Sequence, residues 1–196
     1  MSTVEAGFDA IDHVRLEAAG RLNPARKIEF GQFMTPGPVA RFMASLFSEP
    51  RTPVRLLDAG AGVGSLTAAF LSRWEGGGID VSAYEIDPEL AGHLRQTLAR
   101  FGGNVSAAVI ERDFIQEAAY RLTLGKRPQG FTHAILNPPY KKISSSSEHR
   151  ALLRAAGLET VNLYTAFVGL ALELMASGGE IVAIIPRSFC NGLYYK

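Results

Sequence analysis

The chain has 196 residues, 47% of them hydrophobic and 20% charged, and its formal net charge is +1. These values are typical of one soluble globular domain, and they exclude a disordered chain or one that spans a membrane. The charge neither indicates nor excludes nucleic-acid binding, because a DNA-binding chain of this charge needs a local basic patch or a second chain. The single Cys190 excludes an intrachain disulfide framework and a cysteine-clustered zinc site, so no metal site is predicted.

The first 50 residues predict a helical segment. Apolar residues recur every three or four positions over 8–22, with charges between them, which indicates an amphipathic helix. A second helix is predicted over 36–47, with prolines confined to its first turn and Thr35 suited to cap it. The first residues lack the basic and apolar pattern of a signal peptide, so we expect the chain in the cytoplasm.

Beyond residue 50, strand and helix patterns alternate, which is typical of a mostly parallel sheet with helices on both faces. The predicted strands cover residues 54–58, 81–85, 105–112, 132–137 and 180–186. The predicted helices cover residues 65–72, 88–100, 115–121 and 160–176. Glycine pairs and triplets, including residues 178–179, are placed where helices should end, and residues 144–147 predict a mobile loop. The fold class is therefore α/β.

The first predicted strand leads into a glycine-rich turn. Gly60, Gly62 and Gly64 let the backbone approach a ligand closely at the carboxyl end of the strand, where open α/β sheets bind nucleotides. Asp58 stands two residues before the first glycine. A carboxylate at that position repels a pyrophosphate but suits a cation or an amine.

The next two predicted strands also end in acids. Glu85 is placed to accept the two hydroxyls of a ribose, and Asp113 is placed to accept from an adenine amino group. Ile86 or Phe114 can cover the face of the ring. Taken singly, each acid is better explained as a solvated or helix-capping residue. Three acids at successive strand ends instead predict a pocket for an uncharged adenosine with a cationic tail, which fits S-adenosylmethionine and neither NAD nor ATP.

The fourth predicted strand ends in Asn137, Pro138, Pro139 and Tyr140. Two prolines remove two backbone donors and fix two φ angles, so the strand must stop there. The Asn137 amide oxygen and the Pro138 carbonyl can accept both hydrogens of an exocyclic NH2 group, while the Tyr140 ring stacks on its plane. A tight turn after a buried strand is the alternative explanation, and the cofactor pattern upstream weighs against it.

Four elements, in their order along the chain, resemble the gamma class of N6-adenine DNA methyltransferases. They are the glycine turn with the acid Asp58 before it, the acid Glu85, the pair Asp113 and Phe114, and residues 137–140. Residues 31–36 resemble the Phe-x-Thr-Pro element of that class. Residues 162–167 and 184–189 are similar to its later elements, especially in restriction-modification enzymes. The resemblance covers the chain from about Arg26 onward.

The resemblance implies a Rossmann-like, S-adenosylmethionine-dependent methyltransferase fold. Residues 1–50 would form an N-terminal helical segment, and residues 51–196 a catalytic core that lacks its last strands. Phe33, Thr35 and Pro36 would contact the methionine end of the cofactor, and Asn137 would contact the cofactor as well as the target. The implied reaction is methyl transfer from S-adenosylmethionine to N6 of an adenine flipped out of double-stranded DNA, as the modification part of a restriction-modification system.

Members of the class continue beyond the equivalent of Lys196 with further strands and a target-recognition domain. The resemblance therefore implies a fragment or half of a split enzyme, in which a second chain or a missing carboxyl-terminal segment supplies recognition. Two alternatives stay open. One is an RNA adenine or protein glutamine methyltransferase, which also uses Asn-Pro-Pro-Tyr but is disfavoured by residues 33–36. The other is an inactive fragment or interaction module.

Basic residues follow the Pro-Pro turn. Lys141, Lys142, His149 and Arg150 could meet DNA phosphates from the predicted loop, and a solvated loop explains them equally well. The recognition sequence, the oligomeric state and any associated nuclease are not predicted by the sequence.

Overall fold

The computed structural model describes residues 15–16, 20, 34–48, 53–74, 77–125 and 129–187. Most of the helix predicted over 8–22 lies outside the described residues. Phe33 and the segment after residue 187 lie outside them too.

Five parallel strands form one sheet with the order β3-β2-β1-β4-β5. The strands are β1 Val54–Ala59, β2 Ile79–Tyr84, β3 Val105–Ile110, β4 Phe131–Leu136 and β5 Met175–Ala183. Because all strands are parallel, their carboxyl ends lie at one edge of the sheet. The predicted α/β class with a parallel sheet is confirmed.

The part of the chain that the structure describes also contains six helices. They are α1 Gly37–Ser45, α2 Ser65–Leu71, α3 Pro88–Leu98, α4 Phe114–Thr123, α5 Glu148–Ala155 and α6 Leu163–Glu173. Within these described residues, none of the helices combines the length and the apolar character needed to cross a bilayer.

The helices cover both faces of the sheet. In β1, Val54 and Leu56 belong to a core cluster with residues of α1, α2 and α3, while Leu57 and Ala59 belong to a second cluster with α4, α5 and α6. Alternate residues of a strand point to opposite faces, so the two helix groups pack on opposite sides. This arrangement explains why the central strand is almost entirely buried.

The boundary between α6 and β5 differs from the predicted one. The helix ends at Glu173 and the strand begins at Met175, so Gly178 and Gly179 lie inside β5 and do not end a helix. A side chain at Gly179 would lie 3.0 Å from the carbonyl oxygen of Phe131, and one at Gly130 would lie 2.5 Å from the amide nitrogen of Ala176. These glycines therefore allow the backbones of β4 and β5 to approach each other.

Helix α5 has no counterpart in the sequence prediction. Its start is capped by Ser147, whose hydroxyl accepts a hydrogen bond from the Arg150 amide at 3.3 Å, and Leu153 is fully buried against the second cluster. The Arg150 guanidinium is itself buried and donates to the Thr160 carbonyl and the Glu159 carboxylate. The predicted phosphate contact of Arg150 is therefore wrong, because its side chain connects α5 to the segment before α6.

The contact at Gly130 yields a stability prediction. We expect Gly130→Ala to lower the free energy of unfolding by about 1–3 kcal/mol, because the new methyl group would overlap the backbone at Met175 and Ala176. That backbone cannot move away without breaking the β4–β5 pairing. Urea denaturation gives the comparison. Gly102→Ala is the matched control, since a methyl group there would have no heavy atom within 4 Å. Equal losses in the two variants would contradict the explanation.

Candidate active site

A cavity of about 480 Å³ opens at the edge formed by the carboxyl ends of the strands. This volume lies within the range typical of small-molecule sites. Its position is the topological switch point, because the chain leaves β1 toward β2 on one side and returns to β4 on the other. The predicted site residues that line it are Thr35, Gly60, Gly62, Glu85, Ile86, Asp113, Phe114, Asn137 and Pro139.

Other predicted site residues do not contribute to this lining. Within the described part of the chain they are Pro36, Asp58, Gly64, Pro138 and Tyr140. Phe33 lies outside the described residues. The structure thus collects most of the predicted site around one cavity, and the other predicted residues that it describes adjoin the elements that form this cavity.

The three glycines of the turn have different surroundings. Gly60, Gly62 and Gly64 have φ values of 77°, 58° and 88°, in the left-handed region that favours glycine. A side chain at Gly62 would have no heavy atom within 4 Å, so the backbone there faces open space beside the cavity. A side chain at Gly64 would lie 2.7 Å from Leu94 Cδ1, so this glycine allows α2 to pack closely on α3.

Glu85 fixes the glycine turn to the end of β2. Its Oε2 accepts from the Gly62 amide and its Oε1 from the Asp87 amide, both at 2.8 Å. The side chain is almost completely buried, and burial raises the pKa of its carboxyl group although the two amides oppose the shift. Each carboxylate oxygen can accept a further hydrogen bond, so Glu85 keeps acceptor capacity toward the cavity.

Asp113 caps one helix and contacts the start of another. Its Oδ1 accepts from the Gln116 amide at 3.0 Å at the beginning of α4, and its Oδ2 lies 2.9 Å from His149 Nε2 in α5. Burial opposes ionisation of Asp113, but the His149 and Gln116 hydrogen bonds outweigh it and lower its pKa. The same bond raises the pKa of His149. Sequence reasoning placed His149 among the phosphate contacts and missed this ion pair.

Aromatic side chains form an apolar wall of the cavity next to Asp113. The Phe114 ring lies 5.2 Å from Tyr84 in an edge-to-face arrangement and 5.2 Å from Phe167 at a tilt. All three rings line the cavity, and so does the side chain of Ile86, which is 46% exposed. The surfaces predicted to cover a planar ring are therefore present at the same end of the cavity as the Asp113 carboxylate.

The Asn137 side chain is held at both ends. Its Nδ2 donates to Thr35 Oγ1 at 3.0 Å, and its Oδ1 accepts from the Tyr140 hydroxyl at 3.0 Å. The Tyr140 hydroxyl also lies 3.2 Å from the Ile184 carbonyl oxygen. The predicted cap by Thr35 is wrong, because α1 begins after Pro36 without a side-chain cap and the Thr35 hydroxyl contacts Asn137.

The segment after the Pro-Pro turn is attached to the start of α6. Lys142 forms an antiparallel bridge with Asn162, and the Ile143 amide donates to the Val161 carbonyl at 2.7 Å. Lys141 and Lys142 are exposed and line the cavity. Ile143 and Leu163 also line it, and sequence reasoning missed both because no local pattern indicates a pairing between segments twenty residues apart.

Asp58 is fully buried and does not line the cavity. It lies on the same face of β1 as Leu56, and its Oδ2 accepts from Thr67 Oγ1 of α2 at 2.5 Å. Among the described residues, no group donates to its Oδ1. Complete burial raises the pKa of Asp58 to about 7, against the effect of the Thr67 hydrogen bond. Asp58 therefore supports the glycine turn from behind, and its predicted contact with a cationic ligand has no counterpart in this geometry.

Residues 84–196, more than half of the chain, match the Eco57I restriction-modification methylase family. The chain belongs to the Eco57I restriction-modification methylase family. The matched region begins at the end of β2 and includes the acids at the ends of β2 and β3, the Pro-Pro turn and β5. The resemblance to restriction-modification methyltransferases is thereby confirmed at the level of the family.

Two relatives of this Eco57I-family chain are type II methyltransferases. M.BsuBI of Bacillus subtilis is 52% identical over 200 residues, which cover 96% of this chain and 40% of that protein. M.PstI of Providencia stuartii is 42% identical over 196 residues, which cover 95% of this chain and 39% of that protein. The chain thus spans about 40% of the length of these relatives.

A Listeria monocytogenes protein assigned to the class I S-adenosylmethionine-dependent methyltransferases has a similar crystal structure. The TM-score is 0.69 at 12% sequence identity, and the match covers 97% of this chain and 56% of that one. Similarity at this low identity concerns the fold alone. The predicted Rossmann-like methyltransferase fold is confirmed.

The raised pKa of Asp58 predicts a pH-dependent stability difference. Between pH 3.8 and about 7 the unfolded chain ionises this carboxyl group while the folded chain keeps it protonated, so the parent loses stability as the pH rises through this window. Asp58→Asn lacks that loss. We expect its unfolding free energy to increase relative to the parent by no more than about 4 kcal/mol across the window, measured by urea denaturation.

Thr67→Val extends this test, because it removes the hydrogen bond that lowers the Asp58 pKa. It should extend the loss of stability to higher pH, because the folded chain would keep Asp58 protonated further up the pH scale. A difference between Asp58→Asn and the parent that stays constant with pH would show that Asp58 is ionised throughout in the folded chain.

The ion pair between His149 and Asp113 predicts a second loss of stability with rising pH, which begins at a higher pH than the loss caused by Asp58. The raised pKa of His149 stabilises the fold fully below its unfolded value of 6.5, and this contribution is lost as the pH rises through the folded value. We expect the stability advantage of the parent over His149→Gln to be present at pH 6 and to disappear in the alkaline range, measured by thermal unfolding. His93→Gln, in α3, is the matched control, and an equal pH profile for both variants would contradict the ion pair.

Proposed function

We propose that the chain carries the catalytic part of a DNA adenine methyltransferase, which transfers a methyl group from S-adenosylmethionine to N6 of adenine. The observation that carries this proposal is one cavity with two kinds of lining. The acids at the ends of β2 and β3 line it, and so does Asn137 at the end of β4. Membership of the Eco57I restriction-modification methylase family supports a role in modification.

The residues around the cavity fit S-adenosylmethionine. Glu85 keeps acceptor capacity for the ribose hydroxyls, and Asp113 lies beside the Phe114 ring, where an adenine could be both bound and covered. The open backbone at Gly62 leaves room for close approach of the ligand. Met34 and Thr35 line the side of the cavity assigned to the methionine end. When bound, this cofactor supplies an electrophilic methyl group on a sulfonium centre.

The Asn137 turn would hold the target amino group. N6 of adenine is a poor nucleophile because its lone pair is delocalised into the ring. With its two hydrogens accepted by Asn137 Oδ1 and the Pro138 carbonyl, the nitrogen is held in place and its lone pair is directed at the methyl group. The gain comes from positioning and electrostatics, and no strong general base is needed.

Binding of the target base changes the contacts of Tyr140. In a duplex the adenine must be flipped out of the stack, and the Tyr140 ring is the aromatic surface proposed to stack on it. The Tyr140 hydroxyl donates to the same Asn137 oxygen that is proposed to accept from the base. That oxygen has two lone pairs, so the tyrosine and the base can share it.

DNA is the proposed macromolecular partner. Lys141 and Lys142 are exposed beside the cavity, where two cations can contact phosphates next to a flipped nucleotide. The chain spans about 40% of the length of its relatives, so we assign target recognition to a carboxyl-terminal segment or a second chain.

Transfer of a labelled methyl group tests this function. S-adenosylmethionine carrying the label is incubated with mixed-sequence DNA, with RNA and with a release factor, in the presence and absence of the product of the adjacent reading frame. We expect label in N6-methyladenine of DNA. Incorporation into RNA or into a glutamine side chain, with none in DNA, would overturn the DNA proposal in favour of the alternative that Asn-Pro-Pro-Tyr alone leaves open.

Substitution of Asn137 tests the assigned acceptor. We expect Asn137→Ala to lower the methyl-transfer rate by far more than tenfold while the affinity for S-adenosylhomocysteine, measured calorimetrically, stays nearly unchanged, because the target nitrogen loses its acceptor while the other cofactor-binding residues remain. Asn104→Ala makes the same change at an exposed turn before β3 and should leave both quantities unaffected. A rate within about tenfold of the parent, equivalent to some 1.4 kcal/mol or less, would refute the role of Asn137.

A further inference from the structure

We propose that His149 is a positioning residue for Asp113, which fixes the plane of this carboxylate so that it presents an acceptor to the amino group of the cofactor's adenine. The inference rests on the proposed function, in which the adenine binds beside Asp113. Its basis is the 2.9 Å contact between His149 Nε2 and Asp113 Oδ2, across 36 positions of the sequence. Both side chains line the cavity.

The direction of this hydrogen bond follows from the charge of the carboxyl group. Burial raises the pKa of Asp113, but the hydrogen bonds from His149 and Gln116 outweigh it, so the group is ionised at neutral pH. An ionised carboxylate can only accept hydrogen bonds. His149 Nε2 therefore carries the hydrogen, whether the imidazole is neutral or protonated.

The two oxygens of Asp113 are held by different elements. Oδ1 accepts from the Gln116 amide of α4 at 3.0 Å, and Oδ2 accepts from His149 of α5. The terminal torsion of an aspartate side chain has only a broad preference, so with one of these bonds the carboxylate could pivot. With both, its plane is fixed. A carboxylate has about four acceptor sites, so it still offers one to an adenine amino group.

Helix α5 is itself anchored, which makes it a suitable support for the imidazole. Ser147 caps its start, and Leu153 is fully buried in the second core cluster. A second polar contact joins the first turn of α5 to α4, where Glu148 Oε2 lies 3.5 Å from Gln116 Nε2. The position of His149 is thus set by the packing of α5 and does not depend on the ligand.

A histidine that only joined α5 to α4 would have a different effect on binding. It would support the cavity as a whole, so its loss would weaken every ligand by a similar factor. A histidine that acts through Asp113 affects one amino group of the ligand. S-adenosylhomocysteine and its analogue with hydrogen in place of the adenine NH2 group separate the two roles, because they differ only in that group.

The binding test measures the dissociation constants of both ligands calorimetrically. We expect the parent to prefer S-adenosylhomocysteine about tenfold or more, since a hydrogen bond to a charged group is worth about that factor. His149→Leu should reduce this preference about threefold or more, while the affinity for the analogue changes less than twofold. His149→Gln retains a donor and should keep most of the preference. An unchanged preference in His149→Leu, or an equal loss for both ligands, would overturn the positioning role.

A double-mutant cycle shows whether the effect passes through Asp113. In the Asp113→Ala background the preference should be close to one, and His149→Leu should leave it unchanged. A preference that still falls on adding His149→Leu would mean that the histidine contacts the adenine itself, which overturns the inference. Glu148→Ala is the matched control, because it removes the neighbouring contact between α5 and α4 and should leave the preference of the parent intact.

Nitrogen-15 NMR of the His149 imidazole tests the contact without any ligand. The ring signals are identified by their disappearance in His149→Gln. We expect Nε2 to keep its hydrogen when the imidazole becomes neutral in the alkaline range, and a neutral form with the hydrogen on Nδ1 would overturn the inference.

The failure of this inference and that of the proposed function are distinguishable. A complete enzyme with the expected ligand preference that methylates no DNA would refute the proposed function and support the role of His149. A parent that binds both ligands equally would refute the adenine contact of Asp113, and with it the role of His149, whether or not DNA is methylated.

Discussion

The hydrogen bonds that hold the glycine turn against the end of β2 are the interaction on which the cofactor half of the site depends. Glu85 accepts from the Gly62 amide, and the Tyr84 carbonyl accepts from the Gly60 and Ala61 amides at 2.9 Å. A loop of three left-handed glycines has many conformations available in the unfolded chain, so these bonds offset a large loss of entropy. Burial of Glu85 strengthens them, because a hydrogen bond is electrostatically stronger where water is excluded.

The proposed target half of the site depends on a similar arrangement at the other side of β1. There Asn137 at the end of β4 is tied to Thr35 before α1 and, through Tyr140, to Ile184 after β5. Segments so far apart in sequence can meet only because every strand of the sheet runs in one direction and ends at the same edge. The parallel sheet therefore acts as the support that brings the proposed acceptor for a base beside the proposed cofactor pocket.

Sequence reasoning succeeded where a local pattern carries the information. Buried apolar runs that end in glycine, an acid or proline predicted β1, β2 and β4, and most of the site residues predicted from these patterns line the cavity. It failed where contacts join distant segments, as for the Thr35 hydroxyl, whose partner is Asn137, and for Asp113, which pairs with His149. The direction of Asp58 was predictable, because the two-residue period of a strand places it with Leu56, on the face opposite Leu57 and the second cluster.

The end of β5 connects the proposed base-stacking ring to the edge of the sheet. The Ile184 amide donates to the Leu136 carbonyl at 2.9 Å, one residue before Asn137, and the Ile184 carbonyl lies within hydrogen-bond distance of the Tyr140 hydroxyl. Both backbone groups of one residue thus contact the Pro-Pro turn. A shift of β5 along its axis would weaken both bonds together and release the Tyr140 ring. A polypeptide that packs on the β5 edge and shifts this strand would therefore change the position of Tyr140, which is a physical route from the proposed target recognition to the proposed stacking of the base.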